Sequence, residues 1–211
     1  PIEFLPLSEE QLPKYLISLT LDNLSREEEQ VGKHYSWNPL VKMENLECLR
    51  ILGDDNGDLL GISPEIAPNL KWIEVELFHP NTIHIIKEFK CLEAAILGEV
   101  GNVDIFEYLK HLNLKIVSAK SPKKGFDYTK ISFFKGLEIA RLFSIKEEID
   151  CTMFLQFPHL KELLLYNCKK LKNVEVFLEM PVLKSLYIED AKGVSKELKA
   201  SLKEHIPQCE V

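Results

Sequence analysis

The acidic run Asp54-Asp55-Asn56-Gly57-Asp58, with Glu65 at the twelfth place counted from Asp54, comes nearest in this chain to metal chemistry. Asp54, Asn56, Asp58 and Glu65 fall at four ligand positions of a calcium loop, where hard oxygen donors would surround a divalent cation. Leu59 stands where such a loop needs glycine for its turn, and the flanks lack the pattern of paired helices. A solvated turn between structural repeats accounts for the same residues. His79 and His84 are five residues apart, so a helix does not set their rings on one face as a spacing of four would. The cysteines, Cys48, Cys91, Cys151, Cys168 and Cys209, are odd in number and scattered, forming neither a disulfide framework nor a C-x-x-C metal pair. There is no G-x-x-x-x-G-K-[ST], H-E-x-x-H, G-x-S-x-G or G-x-G-x-x-G. The expectation is a chain without catalytic residues, bound metal or cofactor.

With no reaction centre to organise the sequence, its bulk properties and periodicity carry the reading. Hydrophobic residues make up 45% and charged residues 28%, enough apolar material for a packed core, which excludes global disorder. A formal charge of −7 disfavours nucleic acid, because phosphate binding needs a surplus of lysine and arginine, and favours a basic partner instead. The run Ala119 to Lys124, AKSPKK, reads as a solvated loop. The opening PIEFLPL has no basic leader region, and no apolar run approaches the ~20 residues of a membrane span. These features, with the unclustered thiols, point to the cytoplasm.

Leu160, Leu163 and Leu165 form L-x-x-L-x-L, followed by Cys168 and Leu171. The pattern recurs at Leu46/Leu49/Ile51, Leu70/Ile73/Val75, Leu92/Ala95/Leu97, Leu114/Val117/Ala119, Leu137/Ala140/Leu142 and Leu183/Leu186/Ile188. Successive starts are 24, 22, 22, 23, 23 and 23 residues apart. Leu112 could also open the fourth repeat, but Leu114 gives the more even spacing. An earlier repeat begins at Leu16, with Leu19 and Leu21, and the polar stretch 25–39 before the next start reads as an insertion. Alternation within each start predicts a short strand, and a strand recurring at this interval buries its apolar side only by stacking on its neighbours.

Between the strands, polar residues precede apolar runs: Asn81-Thr82, Asn102 and Asp104, Asp150 and Thr152, and Asn173. Such side chains accept hydrogen bonds from the first free N–H groups of a helical turn, which predicts short helices. Ser195 precedes KELKASLKEHI, an amphipathic helix with Leu198, Leu202 and Ile206 on one face. Over 195–207 it is placed to cap the core.

Across Leu16 to Ala191 the sequence resembles the leucine-rich repeat family, most closely in the repeat that begins at Leu160. The resemblance implies an α/β right-handed leucine-rich repeat solenoid with parallel concave β-strands, short convex helices and a C-terminal capping helix, usually in a protein-binding role. The expected organisation is a single domain over 1–211, with a lead-in at 1–15 and about eight repeats over 16–191. One departure stands out. The family's Asn or Cys at the ninth repeat position is matched only by Cys168; the others are Leu24, Asp54, Phe78, Val100, Pro122, Ile145 and Ala191.

Because strand side chains alternate, the residues between the leucines point out of the concave face. Three columns follow: Ser18, Cys48, Trp72, Ala94, Ile116, Ile139, Glu162, Ser185; then Thr20, Arg50, Glu74, Ile96, Ser118, Arg141, Leu164, Tyr187; and Asp22, Leu52, Glu76, Gly98, Lys120, Phe143, Tyr166, Glu189. Trp72, Ile96, Ile116, Ile139, Phe143, Leu164, Tyr166 and Tyr187 place large apolar groups there, with Arg50, Glu74 and Arg141 among the surrounding charges. This is the composition of a binding hot spot with a polar rim. A slip in register, or a loop such as 25–39 or Ser121 to Tyr128 folded over these groups, would hide them. The function expected is non-catalytic binding of a protein partner. An inhibitor, a toxin-neutralising immunity protein, an adaptor, or the recognition subunit of a sensing or degradation assembly all fit it.

Overall fold

The computed structural model describes residues 16–21, 42–54, 56–168, 170–189 and 194–211. The lead-in, the insertion at 25–39, and the positions of Asp22, Leu24 and Ala191 lie outside them. The chain divides into two compact units, Pro1–Gly98 and Glu99–Val211.

In the first unit, β1 (Ser18–Leu21), β2 (Cys48–Gly53), β3 (Trp72–Leu77) and β4 (Ala94–Leu97) pair in parallel and in chain order. The register sets Leu49 opposite Ile73 and Ile73 opposite Ala95, so the inward residues of successive repeats stack. Leu49, Ile51, Ile73, Val75, Ala95 and Leu97 are buried. Burial of this stacked row is the main stabilising term, at about 25 cal/mol per Å² of apolar surface removed from water. On the return path, a 3-10 turn at Pro80–Thr82 runs into α1 (Ile83–Ile86). Its entry differs from the expected Asn81-Thr82 cap. His79 Nδ1 accepts from the Asn81 N–H at 3.2 Å, and Thr82 makes no side-chain cap because its hydroxyl is engaged elsewhere. Gly98 is required where it stands: a Cβ there would lie 2.0 Å from the Glu76 carbonyl oxygen.

In the second unit, β5 (Ile116–Lys120), β6 (Ile139–Phe143), β8 (Glu162–Tyr166), β10 (Ser185–Glu189) and β11 (Gln208–Glu210) form a parallel set, while β7 (Ile149–Asp150) and β9 (Leu171–Lys172) pair separately. Val117, Ala140, Leu163 and Leu186 face one another across four strands and are buried. Leu114 sets the strand register of its repeat, as its spacing predicted. The turn before that strand nevertheless closes through the Leu112 N–H on Leu109 O at 2.9 Å, as Leu137 closes on Phe134 and Leu160 on Phe157. Two extra residues therefore separate turn from strand in this repeat, which is why both leucines competed as its start.

The return segments are α2 (Ile105–Leu109) and 3-10 turns at Tyr128–Phe133, Cys151–Gln156 and Val174–Glu179. Asp104 and Asp150 cap as predicted, accepting from Glu107 N–H at 3.2 Å and Thr152 N–H at 3.1 Å. Asn173 does not: it sits in the left-handed region and donates its amide to Asp150 Oδ1 at 2.9 Å. Phe106, Phe134, Phe154, Phe157 and Phe177 fill the interior, with Phe106 edge-on to Phe134 at 5.9 Å. The amphipathic segment forms α3 (Lys196–His205), with Ser195 accepting from Leu198 N–H at 3.1 Å and Leu202 and Ile206 buried. The chain then turns back into β11, a strand the sequence did not announce.

The turns after the strands explain how the chain manages without an asparagine ladder. At the eighth repeat position Glu99, Ser121, Ser144 and Asn167 all adopt positive φ, between 51° and 58°. Next, the ninth residue points inward: Val100, Ile145 and Cys168 are buried. Neighbouring backbone closes the hydrogen bonds, as in Val100 N to Lys120 O at 3.0 Å and Ser144 N to Tyr166 O at 2.8 Å. Cys168 Sγ adds contacts of 3.5 Å to the carbonyls of Leu142 and Tyr166.

Candidate functional site

The outward residues of the second unit line up in rows set by strand register. One row is Lys120, Phe143, Tyr166, Glu189, and another runs from Ser118, itself fully buried, through Arg141, Leu164 and Tyr187 to Glu210. The third is Ile116, Ile139, Glu162, Ser185, Gln208. Phe143, Tyr166 and Tyr187 make a continuous aromatic strip. The rings of Phe143 and Tyr166 are 5.8 Å apart, and those of Tyr166 and Tyr187 are 6.5 Å apart and nearly parallel at 13°. Tyr166 is 41% exposed, so this ring stands open on the outward face.

Charges bracket the strip. The Lys120 ammonium lies 5.6 Å from the centre of the Phe143 ring, a cation–π contact at one end. At the other end the Tyr187 hydroxyl donates to Glu189 Oε2 at 2.6 Å, and that bond, more than burial, pushes the tyrosine pKa up to about 12. Arg141 directs both Nε and Nη2 at Glu162 Oε1, at 3.0 and 2.8 Å. Ile116, Ile139, Leu164 and Tyr187 are half-buried beside them. The loop from Ser121 to Tyr128 is held away at its own turn: Pro122 bridges to Gly101, Lys123 N–H donates to the Gly101 carbonyl at 2.7 Å, and Gly125 N–H donates to Glu147 at 2.5 Å.

On the first unit the outward rows contain Cys48, Trp72, Ala94 and Thr20, Arg50, Glu74, Ile96. Trp72 is half-buried. Arg50 Nη2 pairs with Glu76 at 2.6 Å and its Nε lies 3.5 Å from Glu74. Those carboxylates, Glu76 first, raise the guanidinium pKa. Ile96 departs from expectation, being only 5% exposed. Glu74 on β3 stands opposite it, and its neighbours on the same side of β4 are Ala94, itself buried, and Gly98. Ile96 therefore contributes packing more than surface.

The acidic run that resembled a calcium loop is built otherwise. Asp54 is fully buried; its Oδ1 accepts from Leu59 N–H at 3.1 Å and its Oδ2 from the Thr82 hydroxyl. It thus does the turn-fastening work that the ninth repeat position normally gives to asparagine, and neither oxygen is offered to a cation. Leu59 and Leu60 adopt positive φ of 53° and 54°, placing both side chains in the core. Among the described residues no group of three or more His, Cys, Asp or Glu side chains is positioned to hold a metal. Nor is any helix among them long and apolar enough to cross a membrane.

The rows add two residues that sequence reasoning missed, Gln208 and Glu210, because β11 is three residues long and too short to show a period-two pattern. Lys120, Glu162 and Glu189 were legible as column members. Their roles were not, since they depend on which side chains meet across strands.

No protein-family model matches the chain, and no curated protein matches it. Among solved structures, an internalin from Listeria monocytogenes is similar, with a TM-score of 0.49 and 15% sequence identity. The match covers 85% of this chain and 58% of that one, so this chain spans less than two thirds of that protein's length. The assignment of an α/β leucine-rich repeat arrangement rests on the parallel register and the buried L-x-x-L-x-L positions in each unit.

Proposed function

We propose that this chain is a non-catalytic protein-interaction module that docks a partner protein on the outward strand face of its second unit. The observation that carries this reading is the Phe143–Tyr166–Tyr187 strip, exposed at Tyr166 and bordered by Lys120, Arg141, Glu162 and Glu189. Tyrosine offers large contact area with few rotors to freeze, and exposed aromatics with polar rims are where interfaces concentrate their energy. Ile116, Ile139 and Leu164 extend the same face, while Trp72, Arg50 and Glu74 give the first unit a smaller polar-aromatic surface of its own. Steric occupation of a partner needs no further chemistry. The five free thiols support a reducing, cytoplasmic setting.

Affinity capture from source cells with the wild-type chain, a Phe143→Ala/Tyr166→Ala/Tyr187→Ala variant and a Trp72→Ala variant tests this. A partner recovered by wild type and lost by the triple variant supports it. A partner held equally by wild type and the triple variant overturns the assignment of the face.

A further inference from the structure

The outward positions of β8, β10 and β11 are Glu162, Leu164, Tyr166, Ser185, Tyr187, Glu189, Gln208 and Glu210. They hold three carboxylates and two tyrosines, with no lysine or arginine. Glu162 is already engaged by Arg141. Glu189 and Glu210 are not matched by any outward cation on these three strands, and they stand next to the rings: Glu189 opposite Tyr166, and Glu210 opposite Tyr187. The Tyr187 hydroxyl fixes the Glu189 carboxylate through one oxygen and leaves the second outside that bond.

We propose that the partner enters this end of the face with a basic side chain, arginine or lysine, laid over the Tyr166 ring and paired with Glu189 and Glu210. The inference rests on the docking reading above and names the chemistry of the occupant. The protein already shows the first half of this recognition internally, where Lys120 rests over Phe143, one strand back in the row that holds Tyr166. An aromatic face attracts a cation through its quadrupole, and a neighbouring carboxylate adds a directed hydrogen bond that an apolar or acidic side chain cannot use. An acidic partner meets like charge at the same place, and nucleic acid would bring phosphates to it.

The test uses the full chain with carbon-13-labelled tyrosine rings, Tyr166 and Tyr187 being assigned through Tyr166→Phe and Tyr187→Phe. Three blocked pentapeptides of alternating leucine and a test residue are titrated: arginine, its neutral isostere citrulline, and glutamate. The arginine peptide is expected to move both ring signals to saturation, with affinity falling about tenfold for citrulline and about tenfold for arginine on a Glu189→Gln/Glu210→Gln variant. The glutamate peptide is expected to move neither. Glu210 is exposed and Glu189 half-buried, and an unchanged circular dichroism spectrum confirms that the variant is folded. Equal binding of citrulline and arginine, or arginine binding unchanged in the double variant, overturns the basic-occupant inference while leaving the docking face standing. Absence of any tyrosine shift with the arginine peptide also overturns it, and the capture experiment then decides the face separately.

Discussion

Thr82, at the head of α1, donates its hydroxyl hydrogen to Oδ2 of Asp54, 28 residues earlier in the chain. The bond ties one repeat's turn to the helical return of the next and occupies a carboxylate that is fully buried. Burial dominates at Asp54 and pushes its pKa above the usual carboxyl range, against the pull of Thr82 and the Leu59 N–H. The folded chain therefore holds this proton more tightly than the unfolded chain. The contribution is fully present below the unfolded value of about 3.9 and is lost as pH rises through the raised folded value. Asp54→Asn keeps an acceptor for Leu59 and removes the charge. Urea unfolding of wild type and variant across that window should show the variant gaining on wild type as pH rises, then a constant difference. Thr82→Val should cost about 1–3 kcal/mol at neutral pH by leaving the carboxylate short of a donor.

The left-handed eighth positions make a second prediction. Ser121 holds φ at 53°, where a Cβ is disfavoured and glycine is not. Ser121→Gly should raise stability by about 0.5–1 kcal/mol, whereas Ser121→Val, with a branched side chain, should lower it by more than about 1 kcal/mol. Thermal unfolding of the pair reads the sign directly.

Adjacent residues on β8 separate folding from binding. Leu165 is fully buried and Tyr166 is the exposed ring beside it. Leu165→Ala should cost about 2–5 kcal/mol of stability through the cavity it leaves. Tyr166→Ala should cost only about 1 kcal/mol, from its ring contacts, yet lose the partner. Denaturant midpoints measured beside capture yields distinguish the two, and a Tyr166→Ala protein that unfolds as readily as Leu165→Ala would show that the ring is structural.

Thiol reactivity gives a fourth readout. Burial pushes Cys151 up to about 12 and Cys168 up to about 11, so neither presents thiolate at neutral pH. Cys91 is exposed. A disulfide-exchange reagent at pH 8 should modify Cys91 first and reach Cys151 and Cys168 only on unfolding, as peptide mapping of the labelled protein would show.

The spacing of leucines determined by itself which side chains turn inward, because alternation along a strand and a recurrence of 22 to 24 residues admit a single stacked arrangement of the apolar rows. It thereby determined the outward columns as well, so that Arg50 opposite Glu74 and Phe143 opposite Tyr166 follow from the spacing alone. Only the tertiary structure decided what lies beside what once side-chain length and packing enter: that Ile96 is buried although its column faces outward, that Arg141 is matched by Glu162, and that β11 brings Glu210 to the end of the aromatic strip. The same holds for Asp54, whose pattern in sequence suited a cation and whose burial gave its oxygens to Leu59 and Thr82. Periodicity is a property of the backbone and is written locally, whereas burial and pairings such as Asp54–Thr82 and Arg141–Glu162 are settled among residues twenty or more positions apart, where a one-dimensional pattern carries no distance.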